Sequence, residues 1–79
     1  MTSEDLGRLL RAERRAQGLT QEELAMAAGT GVRFVGDLER GKPTCRVGET
    51  LRVIATLGLE VELRPRASRP GGSKRDGAR

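Results

Sequence analysis

With 79 residues, the chain has room for one domain and a limited core, so it is either marginal alone or stabilised by a second copy. One Phe, no Trp and no Tyr remove the stacking platforms of single-stranded nucleic-acid binders and the aromatic anchors of a typical protein hot spot. No His and a lone Cys45 rule out an intrachain disulfide and leave neither a zinc ligand set nor a Ser-His or Cys-His nucleophile pair. The net charge of +4 belongs to the tail: residues 1–64 hold ten Lys/Arg and ten Asp/Glu, whereas residues 65–79 hold five Lys/Arg against Asp76 alone.

These features point away from an enzyme, and no metal and no cofactor are expected. A body that is neutral overall can still bind DNA if its charges segregate by face. With no secretory segment and no long apolar run, the expected location is cytoplasmic, and nucleoid-associated if DNA is the partner.

The first helix is expected from Ser3, as N-cap, to about Gln17, with Gly18 as its stop. Leu6, Leu9 and Leu10 form its apolar stripe, and Arg8, Arg11 and Arg15 its polar face. The second helix opens on a T-x-x-E capping box, Thr20 to Glu23, buries Leu24, Ala25 and Ala28, and ends at Gly29. The third begins at Thr30 or Gly31, turns Val35 and Leu38 inward and stops at Gly41, with Arg40 and Lys42 at its C-terminal end, where cations are favoured. Gly36 inside it costs about 1 kcal/mol relative to Ala and suggests a close-packed or close-contact face. A fourth helix is expected over Val47–Leu57, with Val47, Leu51, Ile54 and Leu57 as its apolar side and Gly58 as its end.

After it, "LEVELR" alternates: Leu59, Val61 and Leu63 on one face, Glu60, Glu62 and Arg64 on the other. A lone strand leaves its backbone groups unpaired, so this strand (about residues 59–64) is expected to pair with a second copy across a two-fold axis. The competing possibility is a solvated linker. Residues 65–79 have no Val, Ile, Leu or Phe and are expected to be a disordered basic tail behind a single domain at 1–64.

A capped short helix, a glycine-bearing turn and a second short helix make a helix-turn-helix, in which the second helix offers its N-terminal end to base edges in the major groove. Arg33 has the length and the fork to meet guanine bidentately, and Val32 suits a thymine methyl. Asp37 suits cytosine N4, or orients Arg33 four residues before it. Arg33 and Asp37 as a mere surface pair, Phe34 as a half-buried packing residue and Cys45 as an inert apolar residue are the plainer readings.

"GLTQEELA", "AAG" and "DLERGKPT" resemble the helix-turn-helix domain of the lambdoid phage repressor (Xre/Cro) superfamily. "TLRVIATLGLEVEL" resembles one branch of it, the HipB-like (Y4mF-type) antitoxins of type II toxin–antitoxin systems. The resemblance spans about residues 6–63. It implies a mainly α, lambda-repressor-like bundle whose single C-terminal strand pairs between protomers through Leu59, Val61 and Leu63. Gln21 then corresponds to a phosphate anchor. Thr30, Gly31, Val32 and Arg33 correspond to the leading end of the recognition helix, and Asp37 to a base-facing position. Arg40, Lys42 and Thr44 correspond to phosphate contacts, and Arg14 and Glu39 to a partly buried ion pair between the first and third helices. Gly31 departs from the Ser or Thr usual at that cap, and Gly36 removes a side chain that often touches DNA.

The implied partners are double-stranded operator DNA, a second copy of the chain and a HipA-like kinase toxin, with no membrane. The implied function is an autoregulating repressor and antitoxin. The alternatives are a stand-alone phage-type or restriction–modification controller regulator, or a bundle used for protein contact only.

Overall fold

The computed structural model describes residues 1–43 and 46–65, which form four helices: α1 (Ser3–Ala16), α2 (Gln21–Ala28), α3 (Val32–Glu39) and α4 (Val47–Thr56). Thr44, Cys45 and the tail from residue 66 lie outside the described residues. α1 is capped by Thr2, not Ser3: the Asp5 N–H donates to Thr2 Oγ1 at 3.0 Å and the Thr2 N–H donates to Asp5 Oδ2 at 3.1 Å. The capping box selects Thr2 because Asp5 stands three residues on, where Ser3 would find Leu6. α2 has the expected box, with the Glu23 N–H on Thr20 Oγ1 at 3.0 Å and the Thr20 N–H on Glu23 Oε1 at 2.8 Å.

All four helices stop in the same way. Gly18, Gly29, Gly41 and Gly58 take φ of 73°, 74°, 83° and 78°. The next residue's N–H then bonds back five residues: Leu19 to the Arg14 carbonyl, Thr30 to Ala25, Lys42 to Asp37 and Leu59 to Ile54. A left-handed residue just past the last turn costs glycine little and satisfies an otherwise orphaned carbonyl.

α3 packs on both α1 and α2, and α4 packs on α2. The core is built on the fully buried Leu10, Leu24, Val35 and Val53, surrounded by Ala25, Ala28, Leu38, Ile54 and Leu57. Two expected stripes are rotated. Leu9 is 48% exposed, while Leu6 and Leu10 carry the α1 contact. In α4 the inward face is Val53, Ile54 and Leu57, whereas Val47 and Leu51 are 72% and 47% exposed. Packing against α2 through Val53 turns the Val47–Leu51 side away, toward Leu9 and the chain after α4, and an apolar groove of about 700 Å³ opens there.

Residues 59–65 run past this groove as irregular chain. No strand exists among the described residues, and 60–65 take part in no backbone hydrogen bond among them.

Two glycines let α1 meet the end of α3 backbone to backbone. A Cβ on Gly7 would stand 2.6 Å from the carbonyl oxygens of both Leu38 and Glu39, and one on Gly41 would stand 2.8 Å from the Glu4 Cα. Gly36 is different. Its nearest neighbour for a Cβ is Arg40 Nη1 at 3.5 Å, which is ordinary contact, so the expected close packing at this position is not found.

The buried pair between Arg14 and Glu39 locks this junction. Arg14 Nε donates to Glu39 Oε2 at 2.7 Å and Nη2 to Oε1 at 3.1 Å, while Nη1 donates to the Leu19 carbonyl at 2.7 Å. Gln21 Nε2 donates to Glu39 Oε1 at 3.1 Å. Four sites are thereby tied together: the end of α1, the α1–α2 turn, the start of α2 and the end of α3.

Elsewhere, Gln17 Nε2 donates to the Leu57 carbonyl at 2.7 Å, joining the ends of α1 and α4. Arg52 Nε donates to the Ala28 carbonyl at 3.2 Å and supplies a cation to the end of α2, which has none in its last turn.

Burial pushes the Glu39 carboxyl up, but hydrogen bonds from Arg14 and Gln21 and the charges of Arg14 and Arg11 outweigh it and hold the group below the usual carboxylate range. A lowered folded-state value means that the pair stabilises the fold above the unfolded Glu value of about 4.3, and that this share is lost as pH falls through the folded value. Glu39→Ala should cost about 3–5 kcal/mol, because it strands a buried guanidinium. Arg14→Met/Glu39→Met should cost clearly less than that single change. In Glu39→Gln, urea midpoints should fall less between pH 6 and pH 3 than in the parent. Gly7→Ala should destabilise by more than 1 kcal/mol, whereas Gly36→Ala should raise stability by about 0.4–1 kcal/mol. Thermal melts read both.

Candidate nucleic-acid interface

α3 presents two adjacent lines of side chains away from the core. The first is Val32 and Arg40, with the buried Gly36 between them at helical spacing of four. It borders a cleft whose opposite wall is Arg11 and Gln21, below the capped start of α2. The second is Arg33 and Asp37. It borders a shallower depression that also takes in Lys42, Arg46 and Glu49. Val35 and Leu38 fix the buried side, and Phe34 is half-buried against the core, as a packing residue.

The polar chemistry of this surface departs from the expected pairing. Asp37 does not meet Arg33. Its carboxylate takes Arg40 Nη2 at 2.5 Å and stands 3.7 Å from Lys42 Nζ. The last turn of α3 faces the chain as it reverses through Gly41, and that reversal puts Arg40 and Lys42 closer to Asp37 than Arg33 is. Among the described residues Arg33 takes part in no ion pair, so its guanidinium remains available.

Gln21 is half-buried, and one of its amide N–H groups is held by Glu39. This fixes the side chain in the wall of the cleft with a second N–H to give. Thr30 does not cap α3, because its hydroxyl donates to the Gly31 carbonyl at 2.9 Å. Gly31 is the N-cap and supplies no side-chain bond, so the first N–H groups of α3 have no such cap.

Gln21, Thr30, Gly31, Val32, Arg33, Asp37, Arg40 and Lys42 therefore lie along the α2–α3 unit and the turn after it. Thr44 lies outside the described residues. Two cations at the same clefts were missed: Arg11, from the exposed face of α1, and Arg46, at the N-cap of α4. The signal for Arg11 was its place three residues before Arg14, one turn from the buried pair. Arg46 gave only its position before a helix start.

Leu59, Val61 and Leu63 all border the groove, but so do Glu60 and Glu62 between them, and Leu63 is 90% exposed. Among the described residues no group of three or more His, Cys, Asp or Glu is placed to hold a metal, and no helix is long and apolar enough to cross a membrane.

The fold has known counterparts. A helix-turn-helix domain family model matches residues 5–67. The HTH-type transcriptional regulator y4mF of Sinorhizobium fredii (strain NBRC 101917 / NGR234), itself uncharacterized, is 48% identical over 62 residues, covering 78% of this chain and 82% of that protein. Among solved structures, a chain of a HipA–HipB–O2–O3 complex superposes with a TM-score of 0.78 at 19% identity, covering 85% of this chain and 94% of its counterpart. The shared fold and the sequence relationship bear out the resemblance carried by "GLTQEELA" and "DLERGKPT". The chain belongs to the helix-turn-helix domain family, together with the HTH-type transcriptional regulator y4mF.

Proposed function

We propose that this chain is a dimeric, sequence-specific DNA-binding repressor that acts as the antitoxin of a HipA-like kinase toxin and represses its own operon. The carrying observation is the outward side of α3: Arg33 is unengaged at the depression that also takes in Lys42 and Arg46, and the adjacent Val32 line borders the cleft that holds Gln21. Arg33 is the base reader, meeting guanine O6 and N7, and Val32 packs on a thymine methyl. Gln21 takes a phosphate with its second amide N–H, and the uncapped N–H groups from Gly31 onward, next to Thr30, follow the same strand.

Arg40 and Lys42 are phosphate contacts that first have to be released from Asp37. Asp37 thus acts as a brake on non-specific attraction as well as a candidate acceptor for cytosine N4. Thr44 completes the phosphate set. The homodimer forms through Leu59, Val61 and Leu63, whose strand pairs only when a second copy is present. The toxin partnership is supported by the likeness in fold to a chain of the HipA–HipB–O2–O3 complex. The domain is taken as residues 1–64, with a basic tail after it.

Three outcomes test this reading. Arg33→Ala should lose about 1–3 kcal/mol of discrimination at one base position in a binding titration with single-base operator variants, and leave affinity for unrelated DNA nearly unchanged. Equal weakening on every sequence would remove Arg33 as a reader. Asp37→Asn should raise affinity for unrelated duplex and steepen the log–log salt dependence by about one unit, as a freed cation reaches phosphate. An unchanged slope means that neither Arg40 nor Lys42 makes that contact. Coexpression with the neighbouring gene product should copurify a kinase-like protein. A neighbouring methyltransferase or phage gene, with nothing copurifying, would favour the stand-alone regulator.

A further inference from the structure

Gly36 has no packing reason to be glycine. A Cβ there would make only ordinary contacts, and a helix interior is weakened by lacking one. The three atoms nearest to that Cβ point share one chemistry: Arg40 Nη1 at 3.5 Å, Arg40 Nη2 at 3.9 Å and Gln21 Nε2 at 4.0 Å. All three are N–H donors and none is an acceptor. The point borders the cleft between α3 and the start of α2, with Arg11 on the opposite wall.

These donors are not used up. Gln21 gives one amide hydrogen to Glu39 and keeps the second. Arg40 gives Nη2 to Asp37, while its Nη1 is the nitrogen nearest the point. Arg11 is exposed and takes part in no ion pair among the described residues. Among the charged residues of the cleft, Arg14 and Glu39 neutralise each other, so Arg11 and Arg40 face Glu22 alone. The remainder is one positive charge, the complement of a single phosphodiester.

We propose that Gly36 keeps open a seat for one backbone phosphate of the duplex. A phosphate oxygen takes the Cβ point, Gln21 and Arg40 hold it from α2 and α3, and Arg11 holds the same phosphate from the facing wall. This rests on the DNA-binding reading above and adds to it the residue that shapes the seat and a further ligand from α1. Donors at 3.5–4.0 Å from the point come to hydrogen-bond length by small turns of two flexible side chains, with Arg40 Nη2 released from Asp37. Even the smallest side chain, that of Ala, would put a carbon where the oxygen goes. The stability that α3 lacks at Gly36 is thus recovered only in the complex.

Gly36→Ala separates stability from binding. Its melting temperature should rise, whereas its affinity for duplex DNA of any sequence should fall about tenfold as one charge-assisted contact is lost. Higher stability with unchanged affinity would overturn the seat. A loss confined to one base pair would overturn it too, because a base edge and not a phosphate would then fill the space. Ethylation interference on the duplex upstream of the chain's own gene locates the contact. One phosphate whose ethylation blocks the parent should no longer matter to Gly36→Ala or to Arg11→Gln, while the other blocking positions persist. If the two variants lose different positions, Arg11 does not share the phosphate over Gly36 and the proposed grip is wrong. If the parent retards no duplex at low salt, the DNA-binding reading itself fails.

Discussion

The helix-turn-helix unit holds its shape through one buried, fully bonded ion pair. Arg14 alone reaches Glu39 twice and the Leu19 carbonyl once, and Gln21 reaches the same carboxylate. A pair of this kind adds little net stability over a well-packed apolar substitute, but breaking one side is expensive. Its value here is positional. α2 and α3 have eight residues each, too short to hold an orientation by helix propensity, and the pair fixes both to α1. Gly7 and Gly41 permit the close approach on which the pair depends.

The same network reaches the surface. Gln21 uses one amide hydrogen to hold Glu39 and keeps another for the cleft in front of α2. A side chain fixed from behind in this way loses less entropy on meeting a phosphate than a free one does. On the neighbouring line, Asp37 restrains Arg40 and Lys42 while Arg33 stays clear. In the proposed role, that division of cations separates attraction to DNA in general from recognition of a particular base.

Local signals in the sequence were legible where a short-range rule decides the outcome. The Thr20–Glu23 box, the four glycine stops, and Val35 and Leu38 as the inner face of α3 are of this kind, because each depends on residues within one or two turns. The Arg14–Glu39 pair is a long-range contact and was reached through the family resemblance. What periodicity missed depends on tertiary arrangement. Leu9, Val47 and Leu51 fit apolar stripes yet stand exposed, since stripe membership does not say which side a neighbouring helix takes. Asp37 was matched to Arg33 by spacing on the helix, whereas the chain reversal at Gly41 supplied closer cations. Gly7 carried no signal at all, because the carbonyls it accommodates come from residues more than thirty positions away. The alternation over 59–64 is clear in the sequence, but a strand is defined by its partner, and the described residues of one copy contain none.

In the proposed role, the α2–α3 surface binds a defined DNA site as a two-fold pair. Hydroxyl-radical footprinting of the full chain on the duplex upstream of its own gene tests this most directly. Two protected half-sites related by symmetry, with centres about 10 bp apart or a multiple of that, are the predicted result. Uniform protection at all positions, or no protection at low salt where backbone attraction is strongest, would contradict it.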